Sequence, residues 1–237
     1  MSAVRTVDDV APRWDAAGSR AVHVLQEAAD ATELRQEHWR IPPKTSTSGS
    51  IAGRVATLFV VAGSGTLRRG GQTHPLRPGI AAYIAVDEAF EIEAGEDGLD
   101  VVTVSSPDAA EISTGSRHTT IDLAEQEARD AVSDRKFRVL FDPDTGCAAM
   151  TQFIGYIPPI RTPLHYHDYS EMVYVVDGHG QVEIDGAQYT IGPGSTFYLP
   201  AGCHHLVENL GTGYLRLLGV LRPASSPDVA HPVLTSP

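Results

Sequence analysis

Cysteine is scarce in this chain: Cys147 and Cys203 are the only two among 237 residues. They are too few for a disulfide framework and neither stands in a C-x-x-C pair, which sets aside thiol redox chemistry and a cysteine-rich zinc site. Positive charge is also in short supply. The 18 Lys and Arg face 30 Asp and Glu, a formal balance of −12, with no Lys/Arg-rich run to offset it, so a protein that tracks a phosphate backbone is disfavoured. No stretch approaches the roughly 20 apolar residues needed to cross a bilayer, and the first twenty residues, MSAVRTVDDVAPRWDAAGSR, hold no apolar signal-peptide core. The expectation is a cytoplasmic protein with no nucleic-acid or membrane partner. Its chemistry must then come from the ten histidines and the carboxylates.

What the chain does have is apolar content, 42% of residues, enough to bury a proper core. Its 22 glycines and 16 prolines punctuate short runs rich in Val, Ile, Leu, Tyr and Phe, such as ATLFVVAG, EMVYVVDG, TFYLP and YLRLLGVL. Short strands at close spacing with turn signals indicate an all-β barrel or sandwich. One stretch, Thr120 to Asp134, reads as a helix, because a threonine start followed by early acids suits a helix N-terminus.

An internal repeat is present. VVAGSGTL (Val60 to Leu67) matches VVDGHGQV (Val175 to Val182), and RPGIAAYI matches GPGSTFYL at the same separation of 115 positions. IPP at Ile41 to Pro43 answers IPP at Ile157 to Pro159, 116 positions on, as a single-residue loop change produces. The chain therefore divides into a first β-domain over 20–106, a short helical connector over 107–135 and a second β-domain over 136–223. A Pro/Ser-rich tail, RPASSPDVAHPVLTSP, follows and is expected to be loosely ordered.

The second repeat carries His165-Tyr-His167-Asp-Tyr-Ser-Glu171. Alternate residues on a strand share a face, so both imidazoles can point into one cavity, and Glu171 joins them if the strand continues or a tight turn returns it. Downstream, Gly194-x5-Pro200-x-Gly202-x2-His205-x3-Asn209 places a turn just ahead of a strand carrying His205. Three neutral imidazoles and one carboxylate suit a divalent transition metal and leave coordination positions open.

These segments resemble the two cupin motifs, G-x5-H-x-H-x(3,4)-E-x6-G and G-x5-P-x-G-x2-H-x3-N. The second matches in full from Gly194 through Asn209; the first matches from His165 through Gly178 but has Pro159 where its leading glycine belongs. With the repeat, the resemblance covers most of residues 20–223 and implies a bicupin, two tandem jelly-roll-like β-barrels. It also implies His165, His167, Glu171 and His205 as ligands of one divalent transition metal per chain (Fe, Mn, Ni, Co, Cu or Zn). At the repeat offset these positions become Ser50, Ala52, Ala56 and Phe90, so the first barrel is expected to be metal-free.

Further candidates surround the ligands. Arg161 is placed to clamp a substrate carboxylate or, alternatively, faces solvent; Tyr198 reaches a bound substrate or oxygen species or, like its counterpart Tyr83, serves packing. Alternation turns His204 away from the site and puts Tyr166 and Asp168 on the opposite side. Among cupins the ligand set resembles that of the dioxygenases, with Glu171, Arg161 and Tyr198 as the catalytic group acting on a small-molecule substrate. Decarboxylase, isomerase or aminohydrolase chemistry and a non-enzymatic metal-dependent sensor are the alternatives. A symmetric homodimer is a possible assembly.

Overall fold

Apolar side chains alternate with period two through both halves of the chain, and both halves fold as antiparallel β-sheet. A computed structural model describes residues 3–30, 34–107 and 118–233; among them there are strands and three 3-10 turns but no α-helix. The first half forms a nine-stranded sheet wound on itself, in which Arg54–Arg69 and Phe90–Pro107 pair along most of their length. In the second half the corresponding strands are shared between a seven-stranded and a five-stranded sheet. Each half is a jelly-roll-type barrel with its own apolar filling, Trp39, Leu58 and Ile92 in the first and Val173, Phe197 and Leu217 in the second.

The largest apolar cluster lies between the barrels, where Phe59, Val102 and Val104 of one meet Ile154, Met172 and Leu218 of the other. Strand Ser170–Asp177 shows how one sequence serves both cores. Its period sends Val173 and Val175 into the second barrel and Met172 and Tyr174 into the shared cluster. Each such side chain, fully buried, contributes about 1.5–3 kcal/mol.

The repeat is visible strand by strand. Ile80–Ile84 and Ser195–Leu199 are 115 positions apart, and Arg35–Ile41 and Thr151–Ile157 are 116 apart. At the matching positions Gly63, at an irregularity within strand Arg54–Arg69, and Gly178 have φ of +77° and +86°, and a Cβ on Gly63 would lie 2.1 Å from the carbonyl oxygen of Gly98. Only glycine fits both the dihedral and the approach.

The two copies also exchange their leading strands. Val4–Thr6, at the start of the first copy, pairs with Ser195–Leu199 of the second, and Thr120–Asp122 pairs with Ile80–Ile84 of the first. The next residue repeats the relation, with Val7 N–H donating to Gly194 O at 3.2 Å and Leu123 N–H to Gly79 O at 3.0 Å.

This exchange corrects the helix expected over 120–134. That segment is strand Thr120–Asp122, a 3-10 turn Leu123–Glu125 and strand Arg129–Asp130. Ile121 is its only buried residue, and Val132 is 57% exposed, so there is no apolar stripe at helical spacing to bury. The cap signal was genuine but local, since Asp122 accepts from Ala124 N–H and caps a single turn. The tail is corrected too: His231–Pro232 pairs with His165–Tyr166, and Val233 N–H donates to Leu164 O at 3.0 Å. Among the described residues no helix is long and apolar enough to cross a membrane.

Candidate metal centre

Strand His165–Tyr166 runs antiparallel to His205–Asn209, with His165 directly opposite His205. His167 lies two residues after His165 and so projects to the same side. Its carbonyl accepts the N–H of Gly202 at 2.8 Å. Gly202, at φ +79°, is the third residue of a turn closed by Cys203 N–H to Pro200 O at 3.0 Å, the place where such a turn needs a left-handed residue. The turn thereby sets the start of the His205 strand against the H-x-H segment.

All three histidines are buried, and one ring nitrogen from each lies within 4.8 Å of the others. Ring centroids are 4.3 Å apart for His165 and His205, 4.9 Å for His165 and His167, and 5.0 Å for His167 and His205. Each Nδ1 donates to a backbone carbonyl: His165 to Pro163 at 2.8 Å, His167 to Val229 at 2.7 Å and His205 to Cys203 at 3.0 Å. A carbonyl can only accept, so every Nδ1 carries the proton and every Nε2 presents a lone pair. Burial holds all three rings below the usual histidine range, His167 at about 4 and His205 at about 3, against the backbone hydrogen bonds, which raise them; Arg135 lowers all three, and neighbouring imidazoles lower His167 and His205. The rings are therefore neutral near pH 7. Three fixed, neutral imidazoles converging in an apolar cavity form a donor set able to hold a transition metal.

Glu171 stands at the edge of this group, its Oε2 3.9 Å from Nε2 of His167. Burial pushes its carboxyl up to about 7, while the charge of Arg135 pulls it down. The carboxylate and the Phe153 ring occupy space opened by Gly219, where a Cβ would lie 2.3 Å from Phe153 and 2.8 Å from Glu171 Oε1. The cavity holds about 70 Å3 and is lined mainly by apolar side chains, with Arg135, Tyr169, Glu171 and the three histidines as its principal polar groups. His167 stacks on Tyr169 at 4.6 Å.

Two nominated residues lie elsewhere. Arg161 is half exposed on the outer face, paired with Glu183 at 3.1 Å and Glu208 at 3.6 Å, so it clamps two neighbouring strands and not a ligand in the cavity. Tyr198 bonds Asp30 and packs against the cluster between the barrels. Its neighbours Phe197 and Leu199 are the ones that line the cavity, so strand alternation forces Tyr198 outward. His204 packs at a tilt against Tyr166, ring centroids 5.6 Å apart, and Asp168 pairs with His231 at 2.8 Å. Asn209 is a loop tie: its amide donates to Ile157 O and Gly213 O.

The sequence reading missed two contributors, Arg135 and the segment around Val229. For Arg135 a signal existed, because Arg20 stands 115 positions earlier in the repeat.

The fold and site define a class of proteins, jelly-roll barrels that carry a histidine metal centre inside one barrel. The Cupin domain family model matches residues 156–221. Protein SchB of Streptomyces halstedii is 32% identical over 123 residues, covering 46% of this chain and 88% of SchB. The chain belongs to the cupin superfamily. It is also similar to polyketide synthase CurC of Streptomyces cyaneus, 33% identical over 99 residues, 40% of this chain and 64% of CurC, so it spans just under two thirds of that relative. Among solved structures, a variant of Bacillus subtilis oxalate decarboxylase OxdC superposes with a TM-score of 0.76 at 15% identity, covering 96% of this chain and 78% of that one. Protein YlbA from E. coli gives 0.77 at 12% identity, covering 92% and 89%. At these identities the likeness to both structures is one of fold.

Proposed function

We propose that the protein is a metal-dependent cupin enzyme acting on a small organic substrate in the second barrel, with His165, His167, His205 and Glu171 as ligands of one divalent transition metal. The observation that carries this reading is the set of three imidazoles whose Nδ1 protons are tied to backbone carbonyls, leaving three Nε2 lone pairs aimed into one cavity. A metal held there supplies Lewis-acid polarisation of a bound carboxylate or enolate. The chain's own groups do the rest. The apolar walls exclude water, and Glu171, beside the triad and largely buried, holds or accepts a proton at Oε2.

Redox-neutral chemistry at a carboxyl or carbonyl carbon is the reading we favour. A buried carboxyl beside the histidines, that of Glu171, supports it, as does the likeness to proteins named oxalate decarboxylase and polyketide synthase. A dioxygenase is the second reading, supported by the apolar wall of Val173, Phe197, Leu199 and Leu217, which suits O2. Product formation by the metal-loaded protein on a panel of small acids, with and without O2, separates them. Equal turnover in both supports redox-neutral chemistry, and turnover confined to the aerobic sample supports the dioxygenase. If no product forms in either and the His205→Ala protein behaves identically, the enzyme reading falls.

A further inference from the structure

Arg135 occupies the same place in the second barrel that Arg20 occupies in the first. Each directly precedes a strand that pairs alike, Val22 with Trp39 in the first copy and Phe137 with Gly155 in the second, and each offers its carbonyl to the residue that opens the short loop before it, Asp15 or Ala131. In the first barrel the Arg20 guanidinium lies 4.2 Å over Trp39 and 5.7 Å over Phe90. Phe90 stands at the repeat position of His205, so a side chain from this position reaches the point where the second barrel has its histidine centre.

The surroundings of the two arginines differ in one consistent way. Arg20 has countercharges built in, with Asp15 at 3.9 Å and Glu37 acting on it. At the repeat positions the second barrel has Ala131 for Asp15, Phe153 for Glu37 and Gly155 for Trp39, and all three line its cavity. Neither acid has a counterpart around Arg135, and Gly155 leaves open the space that Trp39 fills in the first barrel, beside a partly buried cation. Its Nε donates to Val132 O at 2.9 Å, and no ion pair holds its guanidinium among the described residues. The one carboxylate lining the cavity, Glu171, acts on Arg135 electrostatically but makes no ion pair with it among the described residues, and its Oε2 lies 3.9 Å from Nε2 of His167. Lys136 is on the rim with its ammonium on Asp130 at 3.1 Å. A desolvated guanidinium with no ion-paired carboxylate is a site for an anion.

We propose that Arg135 binds the negatively charged group of the substrate, so that the substrate is a small organic acid held with its anionic end between Arg135 and the histidine triad. The size of the space agrees. A water needs about 10–15 Å3 of such volume, so a cavity of about 70 Å3 takes a ligand of a handful of heavy atoms. The inference rests on the second barrel being a metal-dependent site, and its test separates the two.

Oxalate is the probe, titrated calorimetrically into zinc-loaded and metal-free protein, with zinc content measured before and after. Arg135→Gln is expected to keep its zinc and lose at least ten-fold in oxalate affinity, with Arg135→Lys in between. Ala131→Asp, which restores the acid of the first barrel, is expected to do the same without touching the arginine. Wild-type affinity in both Arg135→Gln and Ala131→Asp, loss of zinc together with oxalate in Arg135→Gln, or no saturable oxalate binding by the wild type would each overturn the proposal. A wild-type chain that takes up no zinc would sink the metal reading alone, and the same ten-fold comparison in metal-free protein would still decide the role of Arg135.

Discussion

The backbone carbonyl of Val229 accepts the Nδ1 proton of His167 at 2.7 Å, across 62 positions of sequence. The same oxygen accepts the hydroxyl of Tyr169 at 3.1 Å, and the segment is pinned beside it by His231 on Asp168 at 2.8 Å and on the Tyr166 ring at 5.0 Å. A stretch that looks dispensable in sequence therefore fixes the tautomer and the orientation of one member of the histidine triad.

Removal of residues 225–237 should accordingly weaken metal binding by about 10–100-fold, the usual cost of losing a group that orients a metal-bound imidazole. Competition with a chromophoric chelator measures this. Asp168→Asn, which loosens only an exposed tie, should cost far less. Unchanged affinity in the truncated protein would show that His167 is oriented without Val229.

The ligand assignment predicts one tightly held metal per chain by elemental analysis. His165→Ala, His167→Ala and His205→Ala should each abolish or severely weaken binding, whereas Glu171→Gln should retain more metal than turnover, since an amide oxygen still donates but no longer carries a proton. Two tightly held metals per chain, or full occupancy in His205→Ala, would refute the assignment.

Gly219→Ala probes the packing behind Glu171. The added Cβ would meet Phe153 at 2.3 Å and Glu171 Oε1 at 2.8 Å, inside a core where overpacking costs about 1–3 kcal/mol. A lowered thermal midpoint together with reduced metal occupancy is expected. A melting curve and metal content matching wild type would show that the ring and carboxylate can move aside freely.

His38 predicts an acid limb in the stability curve. It is 3% exposed between the barrels, and burial, then the charges of Arg40 and His23, hold it down at about 3. A depressed histidine keeps its full contribution above the ordinary value near 6.5 and loses it as pH falls toward 3, because the unfolded chain takes up the proton first. At roughly 1.4 kcal/mol per pH unit, the loss amounts to a few kcal/mol across that window. Asp100, raised by burial and 3.6 Å from His38, acts in the opposite direction. Urea denaturation of His38→Leu from pH 7 to pH 4 should show a flatter acid limb than wild type at equal metal content; parallel curves would refute the role.

The duplication, the all-β character and the convergence of His165, His167 and His205 could be read from the sequence by itself, because each rests on local physics. Strand alternation fixes which residues share a face, and turn glycines with left-handed dihedrals fix where a strand ends; the segment from His165 to Asn209 needs little else to bring three imidazoles together. Other features depended on which surfaces meet. Tyr198 faces outward because the second barrel packs that side of its strand against the first, where its hydroxyl finds Asp30, 168 positions away. The segment at 120–122 is a strand because an edge of the other copy was open to it, and local signals favouring a helical turn could not outweigh that ladder. Arg135 and Val229 joined the site for the same reason. Neither lies within reach of the histidines along the chain, and only closure of the barrel and the return of the segment after it bring a guanidinium and a carbonyl to the triad.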